Sequence, residues 1–495
     1  RCGMVQPTRF GSCGGVVLLL SALVLALAGC RLFGPPGAGD VYYAAPWGSD
    51  SGTGSRSDPW LTIDESAAKL EPGDTLYLLE GVYHQIVDIS VQGTEDLPIT
   101  IAAEPGTSVV VDGDIDGDGT PDLPKRSGDE GWTEPRFGKT FYWSGLVQFV
   151  DWSGEPTTHV VLRGVEVRNS AGRGISMHPG GTGITIEDCH VHHTWHTPIH
   201  MQGVTEPTVR RTVVHDGSSF APYPRDAGEQ NWPGNVQFTD VVDGLADRLT
   251  VYNNWGEGVL IGHSDGVILQ NSVIYDNFAL NVYTSHASNF VIRNNLIYST
   301  GTAPFLRGGE APSNLIIADE WNANQANGSG QIVVNNLIMG GSRNLGFWDF
   351  SWQGTEGSGL VDAVIAHNTI LDAVQYGIEI NRGAHENALI CNNVVANPNT
   401  GGALAAVVDD PGLTFDYNLW DGSLRGQAGG PNDVIAADLG LTCSGSTASG
   451  ELSAAYFEPT RSFEGIDAGR RLPVVGVDYS WRFRDRRPDI GAVEH

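Results

Sequence analysis

Lysine is almost absent from this sequence. Its 495 residues contain three lysines (Lys69, Lys125 and Lys139), and 28 basic side chains in all stand against 58 acidic ones. The formal net charge is −30, and it becomes −32 without residues 1–29, which carry two arginines and no acidic residue. A field of this sign repels polyanions and works against the capture of nucleic acid. We therefore exclude nucleic acid as a partner.

Cysteine is also scarce. After Cys30 the sequence has only Cys189, Cys391 and Cys443. This odd and sparse set is no disulfide framework, and a chain of this length can bury a core without cross-links. After the first 30 residues, no apolar run is long enough to span a bilayer. The 65 glycines and the low share of charged residues (17%) favour a turn-rich β fold.

The first 30 residues have the pattern of a secretory signal. Met4 is the first methionine, so we interpret Arg1–Gly3 as upstream read-through. One basic residue, Arg9, precedes the apolar run Val16–Ala28, which is too short for a membrane span. We expect the protein to be exported.

The apolar run is followed by Gly29 and Cys30, and this Leu-Ala-Gly-Cys ending resembles the bacterial lipobox. The resemblance implies cleavage before Cys30 and attachment of lipid to its sulfur. We expect residues 1–29 to be a lipoprotein signal peptide and residues 30–39 a tether, so that the lipid is the only contact with the membrane. A plain signal peptide with a chance cysteine is the alternative.

The rest of the chain repeats with a period of about 23 residues. The residues that recur at this spacing are Tyr252, Tyr275 and Tyr298, Asn271 and Asn294, His263 and His286, and His192 and His215. Each period holds three short alternating apolar runs separated by turn residues, which predicts three short strands per coil. Strands repeated in this register wind into a parallel β-helix, in which each coil buries its apolar face against its neighbours.

Asparagines recur after the apolar runs of this repeat. Asn271 and Asn294 are followed by Asn335 and Asn392 at similar places. We interpret these four residues as a buried asparagine stack at a turn of the β-helix.

The coils resemble a known superfamily. The segment from VYYAAPWGSD through PWLTIDESAAKL, PGDTLYLLEGVY and LPITIAAEPG is similar to the N-terminal coils of the right-handed parallel β-helix superfamily, which includes pectate lyases, chondroitinase B-like lyases and alginate epimerases. The final RRPDIGAVEH resembles the C-terminal segment of many exported β-helix proteins.

This resemblance covers nearly all of residues 40–495 and consists of scaffold segments, so it is strong for fold and weak for activity. It implies a single all-β domain, a right-handed parallel β-helix over residues 40–440 with a closing segment over 441–495. A short helix, Asp64–Leu70 with Asp64 as its N-cap, is expected to cover the N-terminal end. We expect a monomer.

A substrate groove in such proteins usually follows one sheet. The segments predicted for that sheet are 174–178, 198–202, 235–239, 258–262, 281–285 and 377–381. Alternation points Ile175, Ile199, Val236, Val259, Val282 and Ile378 inward. The first outward column is then Ser176, His200, Gln237, Leu260, Tyr283 and Glu379. The second is His178, Gln202, Thr239, Gly262, Ser285 and Asn381.

Loops bring further polar groups to this groove. The insertion 217–235 leads into the sheet and carries the aromatic and charged residues expected of a sugar-binding loop: Tyr223, Arg225, Asp226, Glu229 and Trp232. Glu257 lies at the start of a strand of the same sheet, and His196 lies in the loop that leads to the groove. The alternative to a functional site is a purely structural face, on which the histidines are only solvated and the aromatic loop residues only cover the edge of the sheet.

Three functions compete for the groove. In a lyase or epimerase, a base removes the proton α to a uronate carboxylate and a cation stabilises the enolate. His200, Tyr283 and His178 are the candidate acids and bases, and Arg225 is the candidate cation. The related calcium-dependent lyases use a lysine or arginine base beside an aspartate cluster. The chain has no lysine after Lys139, no aspartate cluster in the central sheet and no Asp-Pro-His-Asp pattern, so it departs from those mechanisms.

The second function is glycoside hydrolysis by two carboxylates, for which Glu257, Asp226 and Glu229 are available. The acidic field suits a neutral sugar better than a uronate. The third is glycan binding without catalysis at a cell surface. A lyase-like action on an extracellular polysaccharide is our leading interpretation, and we expect no organic cofactor.

Two stretches offer metal ligands. Asp114, Asp116 and Asp118 with Gly119 match the start of an EF-hand loop, and the stretch through Asp122 resembles the calcium loops of thrombospondin type-3 repeats. We expect structural Ca²⁺ there.

The second stretch is CHVHHTWHTPIH at residues 189–200, which has zinc-ligand residue types. Alternation turns Cys189 into the core and places His190 and His192 outside, away from the groove. We therefore expect no zinc site in this run, and only His196 and His200 to reach the groove.

Overall fold

The computed structural model describes residues 39–126, 130–134, 139–150, 154–219, 233–302, 306–320, 326–348, 357–422 and 428–495. Three long parallel sheets dominate this part of the chain. The helical elements within it are Ile63–Ala67 and the 3₁₀ turn Ala454–Phe457, and neither is long enough to cross a bilayer. Trp132–Glu134 and Lys139–Phe141 form a small antiparallel pair.

From Thr75–Leu78 to Leu419–Trp420, the strands of the three sheets follow one another in rotation along the chain. Sheet 1 contains Val41–Ala44, Thr75–Leu78, Ile99–Ala103, Val160–Arg163, Thr185–Glu187, Thr208–Arg210, Leu245–Asp247, Ile268–Gln270, Val291–Arg293, Ile332–Val334, Val364–Ala366, Ala388–Cys391 and Leu413–Asp416. Sheet 2 contains Gly81–Tyr83, Val109–Asp112, Glu166–Ser170, His190–Thr194, Val213–His215, Thr250–Tyr252, Val273–Tyr275, Leu296–Tyr298, Leu337–Met339, Thr369–Leu371, Val394–Ala396, Leu419–Trp420 and Val434–Ile435. Sheet 3 contains Val87–Ile89, Gly145–Phe149, Arg173–Met177, Ile199–Gln202, Gly234–Thr239, Glu257–Gly262, Leu280–Ser285, Ser313–Ala318, Arg343–Trp348, Tyr376–Ile380 and Ala403–Val407.

Each strand pairs in parallel with the strand one coil further along the chain, so the predicted all-β solenoid with three strands per coil is confirmed. The predicted inward column is confirmed as well. Its first members, Ile175, Ile199 and Val236, are direct partners in sheet 3 and are fully buried. Each coil therefore covers the apolar face of the next, which is how a solenoid builds one continuous core.

Sheet 3 departs from simple alternation where its strands begin. Asn281 and Val282 are consecutive and both fully buried. The pairing of this strand with its neighbour skips one residue at the same place, from Leu280–Glu257 to Val282–Val259. Leu280 and its partner Glu257 precede this irregularity and are thereby turned to the outer face. Strict alternation with Val282 and Val259 would place them in the core.

An asparagine ladder lies inside the turn between sheets 1 and 2. Each side-chain amide donates to the carboxamide oxygen of the next member at 3.0 Å. The members are Asn295, Asn336, Asn368, Asn393 and Asn418. Because each also pairs with backbone groups, the buried polar turn is satisfied coil by coil. A second ladder at the turn into sheet 3 contains Asn254, Asn277, Asn281, Asn314 and Asn344.

The predicted stack was therefore placed one residue too early. Asn294, Asn335 and Asn392 have left-handed backbone conformations, with φ between 56° and 58°, which turn their side chains out of the coil. They donate to backbone carbonyls of the C-terminal segment at 2.7–2.9 Å. Asn271 accepts from the Trp481 indole at 2.8 Å. These asparagines hold the C-terminal segment along the side of several coils.

The helix Ile63–Ala67 near the N-terminal end is shorter than predicted. Thr62 occupies the N-cap position, and Asp64 lies inside the first turn. The prediction of Asp64 as N-cap was wrong by two residues. Ile63 and Ala67 are buried against the first coils, so packing of the apolar face decides where this helix begins.

We predict that Asn368→Ala destabilises the protein by about 3 kcal/mol, because it leaves buried donors and acceptors of the ladder without partners. Asn368 is fully buried and bonds to Asn336, Asn393 and the Val333 carbonyl. Denaturant unfolding followed by circular dichroism measures the effect. Exposed Asn381→Ala is the control and should cost less than about 1 kcal/mol. Equal losses in both variants would show that the ladder is not a special source of stability.

Candidate active site

The predicted outward column is present on the outer face of sheet 3. Ser176, His200, Gln237, Leu260 and Tyr283 are direct partners in successive strands. Two coils that the sequence reading skipped add Ile316 and Gly346 before Glu379. Strands in a sheet are about 4.8 Å apart, so His200 and Tyr283 are separated by about 14 Å. His200 and Tyr283, each named as a candidate acid or base, are therefore too far apart to act on the same sugar unit.

Arg173 is a functional candidate that the sequence reading missed. Strict alternation with Ile175 would place Arg173 in the core, but the irregular start of the strand turns it outward. Its Nε is buried without a hydrogen-bond partner in the described ranges, and its guanidinium lies 5.7 Å from the Trp143 ring centroid. Burial lowers the pKa of Arg173 to about 10, which leaves the side chain cationic at neutral pH. The buried asparagines that start later strands of this sheet are the sequence signal for this irregularity.

Two histidines lie beside this cation. Burial, and then the charge of Arg173, hold the pKa of His200 well below its ordinary value. His200 is 4% exposed and makes no hydrogen bond to any residue within the described ranges. The same two causes lower the pKa of His178. Both rings are therefore neutral at pH 7, which is the form that accepts a proton.

The tautomer of His178 follows from its partner. Gln148 Oε1 accepts from the Gly145 backbone N–H at 3.0 Å and lies 3.1 Å from His178 Nε2. His178 Nε2 must therefore carry the proton, and Nδ1 has the lone pair.

One acidic group, Asp88, perturbs the pKa of His178. Its carboxylate pairs with Arg126 and accepts from the Gln148 amide at 3.1 Å. A catalytic Ca²⁺ needs several convergent oxygen ligands. The donors beside Arg173 do not fit that requirement, because the Asp88 carboxylate is already bound by its neighbours.

His196 is packed under this cluster. Its ring lies 4.9 Å from that of Phe141 and 5.0 Å from that of Trp143, and burial lowers its pKa to about 3. Two predicted sugar-binding residues lie further along the face. Gln202 is exposed, and Gln237 donates to the Thr239 hydroxyl at 3.0 Å.

Glu257 forms the centre of a second cluster on the same face. It is 7% exposed, and burial raises its pKa to about 8. Glu320 raises this pKa further, whereas Arg307 lowers it. Tyr283 is also buried beside these carboxyl groups. Glu320 lies near the Tyr283 hydroxyl, but the two groups do not have the geometry of an ordinary hydrogen bond. Glu257 is therefore a carboxylic acid at pH 7.

Glu379 belongs to a third cluster. Arg343 Nε donates to its carboxylate at 2.6 Å, and the Trp348 indole donates to the same oxygen at 3.1 Å. The Arg343 guanidinium also lies 5.7 Å from the Tyr376 ring centroid. Glu379 is thus held in an ion pair beside two aromatic rings, a combination suited to sugar contacts.

Several predicted residues lie outside the described residues. They are the lipidation site Cys30 and the loop residues Tyr223, Arg225, Asp226, Glu229 and Trp232. Their assignments stay predictions.

The aspartate-rich loop brings three of its four predicted ligands together. One carboxylate oxygen from each of Asp114, Asp116 and Asp122 lies within 4.8 Å of the others. Asp118 is not part of this group and accepts from the Thr120 backbone N–H. Both oxygens of Asp114 accept backbone N–H groups at 2.9 Å, which fixes the loop.

Comparison with known proteins agrees with this architecture. The family described as "Pel9A-like, right handed beta helix region" matches residues 42–231, and "Right handed beta helix region" matches residues 234–418. The crystal structure of pectate lyase Pel9A is similar over 92% of this chain and 96% of its own, with 16% identity and a TM-score of 0.50. The XylC structure in complex with xylose has a TM-score of 0.48 at 12% identity, covering 92% of this chain and 98% of its own.

Uncharacterized protein YwoF of Bacillus subtilis (strain 168) is 35% identical over 78 residues, which are 16% of this chain and 17% of that protein.

The fold therefore defines a right-handed parallel β-helix protein. Its first half is similar to the Pel9A-like region and its second half to the general right-handed β-helix region.

The high pKa of Glu257 predicts a pH-dependent stability. The folded protein keeps this proton up to about pH 8, whereas the unfolded chain loses it near the ordinary value of 4.5. Wild-type stability should therefore fall as pH rises between these values. Glu257→Gln should remove this fall. The free energy of unfolding of the variant, minus that of wild type, should therefore be higher at pH 8.5 than at pH 4.5 by on the order of a few kcal/mol.

Urea unfolding at both pH values measures this difference, with exposed Glu386→Gln as the control. A Glu257→Gln variant whose stability follows the wild-type pH profile would show that Glu257 is ionised in the fold.

Proposed function

We propose that this protein is a polysaccharide lyase that acts on a uronate-containing extracellular polysaccharide at the outer face of sheet 3. One observation carries the proposal: the Arg173 cation, whose buried Nε has no hydrogen-bond partner among the described residues, lies beside two neutral histidines, His178 and His200. A buried guanidinium without a partner is costly unless an anion binds it, and a uronate carboxylate is an anion of suitable shape. The fold shared with pectate lyase Pel9A supports the same reaction class.

The residues have defined roles in such an elimination. Arg173 pairs with the carboxylate and stabilises the enolate that forms when the neighbouring proton leaves. His200 takes that proton. The electron pair then forms a carbon–carbon double bond and expels the glycosidic oxygen from the β carbon. The imidazolium of His200 then returns this proton to the leaving oxygen. His178 is diagonal to His200, about 8 Å away between Cβ atoms, and offers its Nδ1 lone pair to a sugar hydroxyl.

Arg173→Ala should lower the elimination rate on the order of 10²–10³-fold, because the enolate loses its cation. His200→Ala should lower it on the order of 10²–10⁴-fold, since the base is lost. The ultraviolet absorbance of the unsaturated product measures the rate on a panel of pectic, alginate and glycosaminoglycan substrates. Arg248→Ala is the control for loss of a surface arginine, because Arg248 is exposed and follows the sheet 1 strand Leu245–Asp247.

The folded state of each variant is checked by its melting temperature, which Arg173→Ala should not lower. Wild-type rates in both the Arg173 and the His200 variants would refute this site.

Glycoside hydrolysis is the second candidate function, and Glu257 favours it. A buried carboxylic acid with a pKa of about 8 is protonated at pH 7 and can act as a general acid. Glu320 would then supply the second carboxylate. New reducing ends without an unsaturated product, abolished by Glu257→Gln but not by Arg173→Ala, would identify a hydrolase. Glycan binding without either product would identify a binding protein.

We also propose that Ca²⁺ binds the Asp114–Asp122 loop and stabilises the fold without entering the reaction. The converging carboxylates of Asp114, Asp116 and Asp122 support this assignment. Millimolar Ca²⁺ should raise the melting temperature of the wild type by several degrees through preferential binding to the folded state. The rise should disappear in Asp116→Asn. An equal rise in that variant would place the ion elsewhere.

Export and lipid anchoring through Cys30 remain part of the proposed function. The apolar run before Cys30 and the Leu-Ala-Gly-Cys pattern support them. Anchoring would hold the sheet 3 face at the cell envelope, where an extracellular polysaccharide is available.

A further inference from the structure

The outer face of sheet 2 carries a cluster of three histidines and one carboxylate that the groove chemistry does not use. We name Glu166, His190, His192 and His215 the sheet 2 cluster. Glu166 and His190 are direct partners in one outward column, and His192 and His215 are direct partners in the next. The His190 ring centroid lies 4.3 Å from that of His192 and 4.8 Å from that of His215. The four side chains thus form a compact group spanning three consecutive coils.

Three of the four donor groups converge on one another, and the fourth, His215, lies beside His190. One ligand atom from each of Glu166, His190 and His192 lies within 4.8 Å of the others. His190 Nε2 is 2.7 Å from His215 Nε2, and His192 Nε2 is 3.2 Å from Glu166 Oε1. Two ligands of a tetrahedral zinc ion, each about 2.0–2.1 Å from the metal, are about 3.3 Å apart. These two separations are close to that value. His215 lies outside the convergent group, so rotation of its ring towards Glu166 and His192 would complete the coordination shell.

Hydrogen bonds decide which nitrogens carry lone pairs. His215 Nδ1 lies 2.6 Å from the Asp216 carboxylate, so Nδ1 carries the proton and Nε2 the lone pair. That lone pair faces His190 Nε2, which therefore carries a proton in the metal-free protein. A carboxylate behind a histidine ligand is the arrangement that orients imidazoles at metal sites.

His190 and His192 are in the ligand form at neutral pH. Burial, followed by repulsion from neighbouring histidines, lowers the pKa of His192 to about 4. The same two causes lower the pKa of His190, although Glu166 partly offsets them. Neutral imidazole is the form that binds a metal.

We propose that the sheet 2 cluster binds one Zn²⁺ ion. Three imidazoles and one carboxylate match the ligand preference and the tetrahedral coordination of zinc. Four protein ligands close the coordination shell, which assigns the ion a structural role. It joins three consecutive coils on the side of the solenoid where short strands pair through few residues.

Two neighbours define the limits of the site. Arg168 donates to Glu166 at 2.9 Å, and its Nε also donates to Asp112 at 2.7 Å. Arg168 therefore keeps a carboxylate partner when zinc takes Glu166. The exposed His193 contacts His192 through Nδ1 at 2.5 Å, on the opposite ring edge from Glu166, so it lies outside the coordination shell.

The prediction of no zinc site rested on alternation within residues 189–200, which turns Cys189 into the core and away from His190 and His192. The cluster takes only His190 and His192 from that run. Glu166 comes from the preceding coil and His215 from the following one. The 23-residue period, not the local spacing, brings the ligands together.

Calorimetric titration of the metal-depleted full chain with Zn²⁺ tests the proposal. Excess Ca²⁺ is present so that carboxylate loops do not compete for zinc. We expect one tightly bound zinc per chain and no net release of a proton from His190, because its proton moves from Nε2 to Nδ1 when Nε2 binds the metal. Titrations in buffers of different ionisation enthalpy measure this. Cobalt substitution should give the visible absorption of a tetrahedral site.

The variants separate ligands from neighbours. His215→Gln should weaken zinc affinity by more than about 100-fold, and Asp216→Asn by about 10–100-fold, because the orienting carboxylate is lost. His263→Gln is the matched control, since His263 and His286 form a stacked pair of the same period at 5.0 Å. Zinc should raise the melting temperature of the wild type and of the control, but not of His215→Gln.

Glu166→Gln replaces His215→Gln if the latter does not fold. The proposal is overturned if the wild type binds no stoichiometric zinc, or if these ligand variants bind it as tightly as the wild type. Loss of zinc binding in His263→Gln would also overturn it.

Discussion

Parallel hydrogen bonding between successive coils is the constraint on which the rest of this structure depends. It keeps equivalent positions in register at a spacing of about 4.8 Å. Any side chain repeated at one position must therefore stack on itself. Apolar residues become the core, and asparagines become ladders whose amides pair coil after coil. The aromatic column of His215, Tyr252, Tyr275 and Tyr298 stacks at 4.9–5.0 Å for the same reason.

The same constraint organises the candidate active site. A column on the outer face of sheet 3 offers one side chain per coil to an extended glycan. Side chains on neighbouring coils can therefore act on the same sugar unit, whereas side chains three coils apart cannot. The face accordingly divides into clusters around Arg173, Glu257 and Glu379. The first has a cation beside neutral bases, and the second has a buried acid. This division is why lyase and hydrolase chemistry are distinguishable by single substitutions.

The histidines of one short run have different environments because alternation and turns separate them. His190 and His192 lie outward on sheet 2, His196 is packed between aromatic rings, and His200 lies on sheet 3 beside a cation. Their sequence proximity carries little information about function. The residues one coil away, at a spacing of about 23, determine what each can bind.

The sequence by itself determined the architecture: its period and alternation predicted three strands per coil, the inward column and the first outward column, because register is a property of the repeat. The tertiary structure alone decided where alternation fails. Paired inward residues at the start of sheet 3 turn Arg173 outward, and left-handed turns move the asparagine ladder by one position. The pKa values also depended on it, because burial and neighbouring charges come from other coils. Local pattern fixes which face a strand buries, but contacts between coils and loops decide which polar group is left without a partner.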